Sequence, residues 1–181
     1  DNQLEAVTEK VLPIKKALEE KGISVKYADR DTYKPGWKFN EYEFKGVPVR
    51  LAMGPRDIEN GTVEVARRDT LEKEIVSLDN VVDHVEKLMI EIQENLYKRA
   101  LDYRAETTIE IDTYADFKDV MKTKGGFILA HWDGTADTEE RIKKETKATI
   151  RCIPLEGDKT EGICIYSGKP SAQKVLFAKA Y

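Results

Sequence analysis

Apolar side chains at the start of the chain recur every three or four positions, from Leu4 to Leu18. This spacing predicts an amphipathic helix that ends at Gly22 and is kinked at Pro13. The residues that follow, Ile23 to Ala28, alternate apolar and polar side chains, a pattern that predicts a half-buried strand. The chain is therefore expected to open with a helix followed by a strand.

Three further strands and one long helix are predicted for the stretch up to residue 104. The Pro35-Gly36 pair and the run Gly54–Asp57 indicate turns, because proline and glycine favour turn conformations. The patterns predict strands at Val47–Met53, Thr62–Arg68 and Lys73–Leu78, and a helix from Asp79 or Asn80 to about Arg104.

The polar run from Ala105 to Asp112 interrupts this periodicity and marks the predicted boundary between a domain at 1–104 and a second at 105–181. Thr113 and Asp116 then form a capping box, which predicts a new helix. The remaining elements are predicted as strands at Phe127–Trp132, Ala148–Ile153, Gly162–Tyr166 and Lys174–Ala178, and a helix at Asp137–Thr146. This order favours an α/β domain followed by an α+β domain.

The amino-acid composition limits the kinds of partner that the protein is expected to bind. The 181 residues carry 30 basic and 34 acidic side chains, a net charge of −4, and 35% of them are charged. This balance excludes the broad basic field of a protein that coats nucleic acid, so any nucleic-acid site must be local. Without a signal-peptide pattern or an apolar run of roughly 18 residues, a cytoplasmic protein with no membrane partner is expected. The two cysteines, Cys152 and Cys164, fit a reducing compartment.

Motifs for common catalytic sites are absent from the sequence. It contains no phosphate-binding glycine loop, no serine-nucleophile elbow and no zinc-protease motif. His84 falls on the predicted long helix, where a solvated surface position is expected. His131 and Asp133 could share a metal ion, but two ligands are a weak indication.

Residues 26 to 73 differ from the rest of the chain in charge and aromatic content. They carry a net charge of +1, whereas the other 133 residues carry −5. Interleaved with the basic residues are Tyr33, Trp37, Phe39, Tyr42 and Phe44. Aromatic rings beside arginine and lysine suit single-stranded RNA, whose bases stack on them. Composition alone favours the alternative, in which the rings belong to the core and the charges to a solvated face.

The same segment resembles a known family. From Pro35 to Arg50 the chain reads Pro-Gly-Trp-Lys-Phe-Asn-Glu-Tyr-Glu-Phe-Lys-Gly-Val-Pro-Val-Arg, which is similar to the anticodon-binding domain of prolyl-tRNA synthetases. The runs Ile142–Pro154 and Val175–Tyr181 resemble the extra C-terminal domain of the archaeal and eukaryotic-type members. The resemblance covers essentially the whole chain.

This resemblance implies a fold. It is a mixed-sheet class IIa anticodon-binding domain with about five strands and helices on both faces, followed by a small α+β C-terminal domain. The family's anticodon-binding domain opens with a strand before its first helix, and these residues begin at that helix, so the first strand is expected to be missing.

The resemblance also implies an RNA site. Proline anticodons share two guanines, whose edges offer both donors and acceptors, so a reader needs one carboxylate and several cationic groups. The family's guanine-reading acid falls on Glu43 and its basic readers fall on Arg50 and Arg56. Lys73 is implied to contact the RNA backbone or a base, and Trp37 and Phe39 are implied to stack on RNA or to shape the site. The alternative for each charged residue is a surface ion pair, which contributes little.

Two features of the C-terminal domain follow from the same resemblance. Many members hold zinc with four cysteines, and the corresponding positions here are Asp133, Thr138, Cys164 and Ser167. Hydroxyl groups are poor zinc ligands, so no zinc is expected. The terminal Tyr181 matches members whose C-terminus points toward the aminoacylation site; the alternative is an ordinary frayed terminus.

The implied parent reaction is the ATP- and magnesium-dependent attachment of L-proline to proline tRNA by a homodimeric enzyme. The class II catalytic core is absent from these residues, so the chain is expected to supply tRNA selection without catalysis or a cofactor of its own. Two alternatives are the anticodon-binding domain of another class II synthetase and a non-enzymatic RNA-binding module.

Overall fold

The computed structural model describes residues 2–157 and 159–179, so Tyr181 lies outside the described residues. The chain divides into two compact units, Asp1–Arg99 and Ala100–Tyr181, and the predicted boundary after residue 104 remains a prediction. Within the described ranges, no helix has the length and apolar character needed to cross a bilayer.

The first unit contains helices on both sides of a small sheet. Its helices are α1 (Asn2–Glu20), α2 (Pro35–Phe44) and α3 (Pro55–Asn60), together with the first part of α4 (Val81–Thr107). Its strands are β1 (Val49–Ala52), β2 (Thr62–Arg67) and β3 (Lys73–Ser77). The strands run antiparallel in the order β1-β2-β3.

Alternation along β2 decides which face of this sheet is buried. Val63 and Val65 are each 1% exposed and pack with Leu18 of α1 and with Val81 and Val85 of α4. The side chains between them, at positions 64 and 66, therefore point to the opposite face, which α2 approaches through Phe39. This second face carries the candidate site.

Two turns predicted for this unit are the starts of short helices. The Pro-Gly pair begins helix α2 instead of forming a turn, since Pro35 occupies the first helical position, where no N–H is needed. The predicted turn Gly54–Asp57 starts helix α3, and Asp57 accepts a hydrogen bond from the Gly54 N–H at 2.8 Å. In both places the sequence identified a change of chain direction but missed the short helix that makes it.

The predicted strand Ile23–Ala28 has no strand partner among the described residues, so three strands form where about five were expected. Ile23 and Val25 pack on the core, and the Ala28 carbonyl accepts a hydrogen bond from Lys38 Nζ at 2.7 Å. The alternation of apolar and polar side chains correctly indicated which of them face the core. A strand also needs a neighbouring strand with which its backbone can form hydrogen bonds, and the alternation cannot predict one.

The second unit has a mixed sheet with two helices beside it. The helices are α5 (Tyr114–Thr123) and α6 (Ala136–Thr146), and the strands are β4 (Thr108–Glu110), β5 (Phe127–His131), β6 (Ala148–Cys152), β7 (Gly162–Ile163), β8 (Pro170–Ser171) and β9 (Lys174–Lys179). The main sheet has the order β4-β5-β9-β6, with one parallel and two antiparallel pairings, and β7 pairs with β8.

Both helices of this unit begin after a capping threonine, and the capping box predicted at Thr113 and Asp116 starts α5. The Thr113 hydroxyl accepts from the Asp116 N–H at 3.2 Å, and the Thr135 hydroxyl accepts from the Thr138 N–H at 3.4 Å. The core behind them contains Phe117 and Phe177, both fully buried. The polar run Ala105–Asp112, which interrupts the hydrophobic periodicity, contains the end of α4 and the short strand β4. The predicted fold class, mixed α/β with helices packed on a mixed sheet, is confirmed.

Candidate nucleic-acid interface

The register of the first sheet places Arg50 and Lys73 on either side of Ala66. Arg50 of β1 is paired with Ala66 of β2, and Ala66 is paired with Lys73 of β3. Residues paired across antiparallel strands point to the same face, so two cationic side chains flank one methyl group. The small central residue leaves a hollow between them.

Helix α2 forms one wall of this hollow. The Phe39 ring lies against the Arg50 guanidinium, with 3.7 Å between the ring centroid and Cζ. Such a contact is a cation–π interaction, and it holds the guanidinium plane in one orientation. Phe39 is partly buried, so it shapes the site from beneath Arg50.

Glu64 connects the two cations of the hollow. Its Oε1 atom lies 3.3 Å from Arg50 Nη1 and 3.5 Å from Lys73 Nζ. One carboxylate therefore partly neutralises two cationic groups, and the remaining N–H donors of both side chains stay available to a ligand. The side chain of Arg50 is 22% exposed, whereas that of Lys73 is 54% exposed, so Arg50 is the better ordered donor.

Glu43 reaches the same hollow from the last turn of α2, one helical turn after Phe39. Its side chain is exposed, and among the described residues its carboxylate has no hydrogen-bond or ion-pair partner. Its backbone carbonyl accepts a hydrogen bond from Arg68 Nε at 2.8 Å. The backbone of Glu43 is thus fixed while its carboxylate is free to accept hydrogen bonds.

These side chains enclose a cavity of about 250 Å³, smaller than the roughly 300–1,000 Å³ of drug-sized sites. Its size suits one planar ring system. We call it the β-sheet pocket. The residues that line it are Phe39, Tyr42, Glu43, Val47, Arg50, Ala66, Arg67, Arg68, Leu71 and Lys73.

A buried carboxylate anchors the rim of this pocket. Arg67 donates to both carboxylate oxygens of Asp69 at 2.8 Å, and Asn95 Nδ2 donates to Oδ2 at 2.6 Å. The side chain of Asp69 is 1% exposed. The hydrogen bonds from Arg67, the largest contribution, lower the pKa of Asp69 well below its ordinary value. This network ties the loop between β2 and β3 to α4.

Leu71, in the same loop, is exposed and has a φ of 64°. A left-handed backbone is costly for a residue with a branched side chain. No pattern in the sequence pointed to Leu71 or to Arg68 as site residues, because their positions depend on how this loop folds back toward α2.

Two of the predicted RNA-contacting residues lie outside the β-sheet pocket. Arg56 is exposed on α3, and within the described part of the chain it has no ion-pair partner. Trp37 lines a separate concavity on another side of α2, where it stacks on Tyr33. The structure therefore brings together Glu43, Arg50 and Lys73, with Phe39 beneath them.

In the second unit, three of the four positions that correspond to zinc ligands are hydrogen-bonded to one another. Asp133 Oδ2 accepts from Thr138 Oγ1 at 2.8 Å and from Ser167 Oγ at 2.7 Å, and Oδ1 accepts from Thr135 Oγ1 at 2.8 Å. Burial opposes ionisation of Asp133, but these donors outweigh it and lower its pKa to about 2. Cys164, at the fourth position, is buried. It precedes Ser167 in the sequence.

The two histidines have local partners. His84 Nε2 lies 2.8 Å from Glu74 Oε1, and His131 Nδ1 lies 3.1 Å from Ser171 Oγ. The Asp133 carboxylate already accepts hydrogen bonds from the hydroxyl groups described above. Within the described residues, no three histidine, cysteine or acidic side chains form a group suited to a metal ion.

Each unit contains a region that matches a known family. Residues 2–88 match the family described as Anticodon binding domain, and residues 114–181 match the family described as Prolyl-tRNA synthetase, C-terminal. A proline–tRNA ligase from Porphyromonas gingivalis is 61% identical over all 181 residues. Along its whole length the chain is therefore similar to prolyl-tRNA synthetases. The resemblance to the anticodon-binding domain and the C-terminal domain of prolyl-tRNA synthetases is thereby confirmed, whereas the archaeal/eukaryotic type stays a prediction. The second family match argues against a synthetase for another amino acid.

Other relatives agree. Proline–tRNA ligases from Parabacteroides distasonis and Cytophaga hutchinsonii are 60% and 58% identical over 99% of the chain. The crystal structure of a prolyl-tRNA synthetase from Cryptosporidium parvum, complexed with L-proline and AMP, matches 98% of the chain with a TM-score of 0.86 and 32% identity.

The chain spans 36% of the length of these curated relatives and 38% of that solved structure. The part of these relatives that the chain matches contains the Anticodon binding domain and the Prolyl-tRNA synthetase, C-terminal families. The β-sheet pocket lies in the first unit, within the residues that match the Anticodon binding domain family.

Proposed function

We propose that the β-sheet pocket reads a guanine of the proline anticodon. The observation that carries this proposal is the convergence of Glu43, Arg50 and Lys73 on one cavity of about 250 Å³. The site offers one free carboxylate beside two cationic groups, and guanine presents N–H donors on one edge and O6 and N7 acceptors on others. The two sets of groups are complementary.

Each side chain has a role in this reading. The Glu43 carboxylate accepts hydrogen bonds from guanine N1–H and N2–H, which no other base offers together. Arg50, whose Cζ lies 3.7 Å from the centroid of the Phe39 ring, donates to O6 or N7, and Lys73 contacts the base or a phosphate. Arg56, on α3 outside the pocket, serves the second guanine.

The charge distribution supports this role. A site that reads one or two unstacked bases needs donors and acceptors in fixed positions, and Glu64 keeps the two cations in place at 3.3 and 3.5 Å. A net charge of −4 over the whole chain is compatible with such a local mixed-sign site. Specificity for guanine comes from Glu43, since a purely basic pocket also accepts other bases.

The full protein, in this proposal, attaches L-proline to proline tRNA with ATP and magnesium, acts as a cytoplasmic homodimer and is of the archaeal/eukaryotic type. The match of residues 114–181 to the family described as Prolyl-tRNA synthetase, C-terminal supports the presence of the extra C-terminal domain from which that type is inferred. In the same proposal, no zinc is held at Asp133, Thr138, Cys164 and Ser167.

The test compares binding of proline-tRNA anticodon stem–loops with and without their guanines. Glu43→Ala in the full chain should weaken binding of the cognate stem–loop by about 1–3 kcal/mol and reduce discrimination at one guanine position. Glu94→Ala removes an exposed carboxylate from α4 and serves as the matched control. Fluorescence anisotropy of a labelled stem–loop measures both affinities.

Equal affinity for stem–loops with and without the two guanines would contradict the proposal and favour a general RNA-binding module. Retained discrimination by Glu43→Ala would assign guanine reading to another residue.

A further inference from the structure

The Tyr33–Trp37 pair forms an aromatic surface outside the β-sheet pocket. The two ring centroids are 3.9 Å apart and the planes are inclined by 15°, so the rings are stacked. Tyr33 is 39% exposed and Trp37 is 47% exposed, so neither ring is a core residue. A pre-stacked and solvent-exposed ring pair presents a flat face on which a further planar group can stack.

Helical spacing separates this surface from the β-sheet pocket. Phe39 and Glu43 lie four residues apart and face the pocket, whereas Trp37, Glu41 and Lys45 form another row with the same spacing. Trp37 lines a concavity of about 260 Å³, which we call the Trp37 concavity. Tyr42 lines both cavities and is their common wall. The two sites are therefore adjacent on the same unit.

The charge of the Trp37 concavity suits a polyanion. Four basic residues and two acidic residues line it. Lys38 donates to the Ala28 carbonyl and Lys45 pairs with Glu41 at 2.6 Å, so these two amines are engaged. Lys26 and Arg30 have no hydrogen-bond or ion-pair partner within the described ranges. Two free cations thus flank an exposed aromatic stack, which is the combination that binds single-stranded nucleic acid.

We propose that the Trp37 concavity binds a nucleotide that flanks the anticodon guanines on the same RNA strand. This inference rests on the proposed function of the β-sheet pocket, because a base in that pocket brings its neighbour past Tyr42. The flanking base stacks on Trp37, and Lys26 and Arg30 contact its phosphates. Stacking accepts every base, since all have an aromatic face, so this second site adds affinity without sequence selectivity.

Trp37 itself provides the direct readout. The chain has two tryptophans, so Trp132→Phe leaves Trp37 as the only indole emitter. Titration of this variant with the proline anticodon stem–loop should quench its emission as the base stacks. A stem–loop without the two guanines should quench it to the same end point at higher RNA concentration, because it still supplies a flanking base.

Removal of the Trp37 ring tests the Trp37 concavity independently of the β-sheet pocket. Trp37→Ala should weaken binding of stem–loops with and without the guanines by the same factor, roughly 5- to 150-fold. Trp37→Phe should retain most of the affinity because it keeps an aromatic face. Phe44→Ala is the matched control, since Phe44 lies on the same helix, is 90% exposed and lines neither cavity. Circular dichroism checks that each variant is folded.

The role of Lys26 and Arg30 can be tested through the salt dependence of RNA binding. The double substitution Lys26→Ala with Arg30→Ala should reduce the dependence of log affinity on log salt concentration by one to two counterions, roughly one for each phosphate that is no longer neutralised. Lys87→Ala, an exposed lysine of α4, should leave the salt slope unchanged.

The outcomes distinguish this inference from the proposed function. Two results would overturn the proposed RNA binding by the Trp37 concavity and leave guanine reading intact. One is unchanged Trp37 emission at saturating RNA, and the other is wild-type affinity of Trp37→Ala while the affinity of Glu43→Ala is impaired. Quenching of Trp37 without any guanine discrimination would overturn guanine reading and keep an aromatic RNA site.

Discussion

Arg68 Nε donates a hydrogen bond to the backbone carbonyl of Glu43 across 2.8 Å. The bond joins the residue after β2 to the last turn of α2, while the Arg68 backbone N–H donates to the Pro48 carbonyl at 2.9 Å. One arginine therefore fixes the position from which the Glu43 carboxylate extends into the β-sheet pocket.

Arg68→Ala should weaken guanine recognition through Glu43. A double-mutant cycle with Glu43→Ala should give a coupling of about 0.5–3 kcal/mol, as found for residues that share an interaction. Stem–loop affinity by fluorescence anisotropy provides the four values. Fully additive effects would mean that Arg68 contacts RNA independently of Glu43.

Arg50→Lys should impair guanine reading although the charge is kept. Lysine lacks the planar group that lies on Phe39 and cannot form two parallel hydrogen bonds with O6 and N7. We expect a loss of about 1–3 kcal/mol of discrimination against other bases with an unchanged salt slope. Arg151→Lys, at an exposed position of β6, is the control. Unimpaired discrimination would show that a point charge is sufficient at position 50.

Asp69→Asn should destabilise the first unit. The amide loses the charge that accepts two hydrogen bonds from Arg67 at 2.8 Å, and hydrogen bonds to charged groups contribute about 1.5–3 kcal/mol to stability. The folded pKa of Asp69 is lowered, so this stabilisation is complete above the unfolded value of about 3.9 and is lost as the pH falls below it.

Urea unfolding at about pH 7 and about pH 3 should therefore show a smaller difference between wild type and Asp69→Asn at the lower pH. Asp31→Asn, which changes an exposed aspartate without a partner in the described part of the chain, should cost less than about 0.5 kcal/mol. Equal destabilisation by both variants would contradict a structural role for Asp69.

Asp133→Asn should destabilise the second unit, because three hydroxyl groups converge on its carboxylate. We expect a loss of about 1–3 kcal/mol at neutral pH. Since the pKa of Asp133 is lowered to about 2, its contribution should disappear as the pH falls from about 4 toward 2. Denaturant unfolding in a Trp37→Phe background, in which Trp132 is the only tryptophan, measures this by fluorescence. Asp119→Asn, at an exposed site on α5, should be nearly neutral.

Zinc should not be required by the second unit. Asp133, Thr138 and Ser167 already satisfy one another through hydrogen bonds of 2.7 to 2.8 Å, and the hydroxyl groups are poor zinc ligands. Chelators and added zinc should both leave the melting temperature unchanged. Stoichiometric zinc in metal analysis of the purified chain would contradict this expectation.

Elements whose signals are local could be predicted from the sequence alone. The helical spacing of Val81, Val85 and Leu88 predicted α4, and Thr113 with Asp116 predicted the start of α5, because each signal depends on contacts within a few residues. The family resemblance implied Glu43, Arg50, Arg56 and Lys73 as the RNA-contacting set. These residues are separated by up to 30 positions in the chain, so spacing alone could not group them.

Which of these side chains meet became known only from the folded chain. Strand register placed Arg50 and Lys73 on either side of Ala66, and the loop between β2 and β3 added Arg68 and Leu71 to the pocket. The fold left Arg56 outside and gave Trp37 a concavity of its own. Register and loop placement depend on pairing between distant segments, whereas hydrophobic periodicity reports only which face of each element is buried.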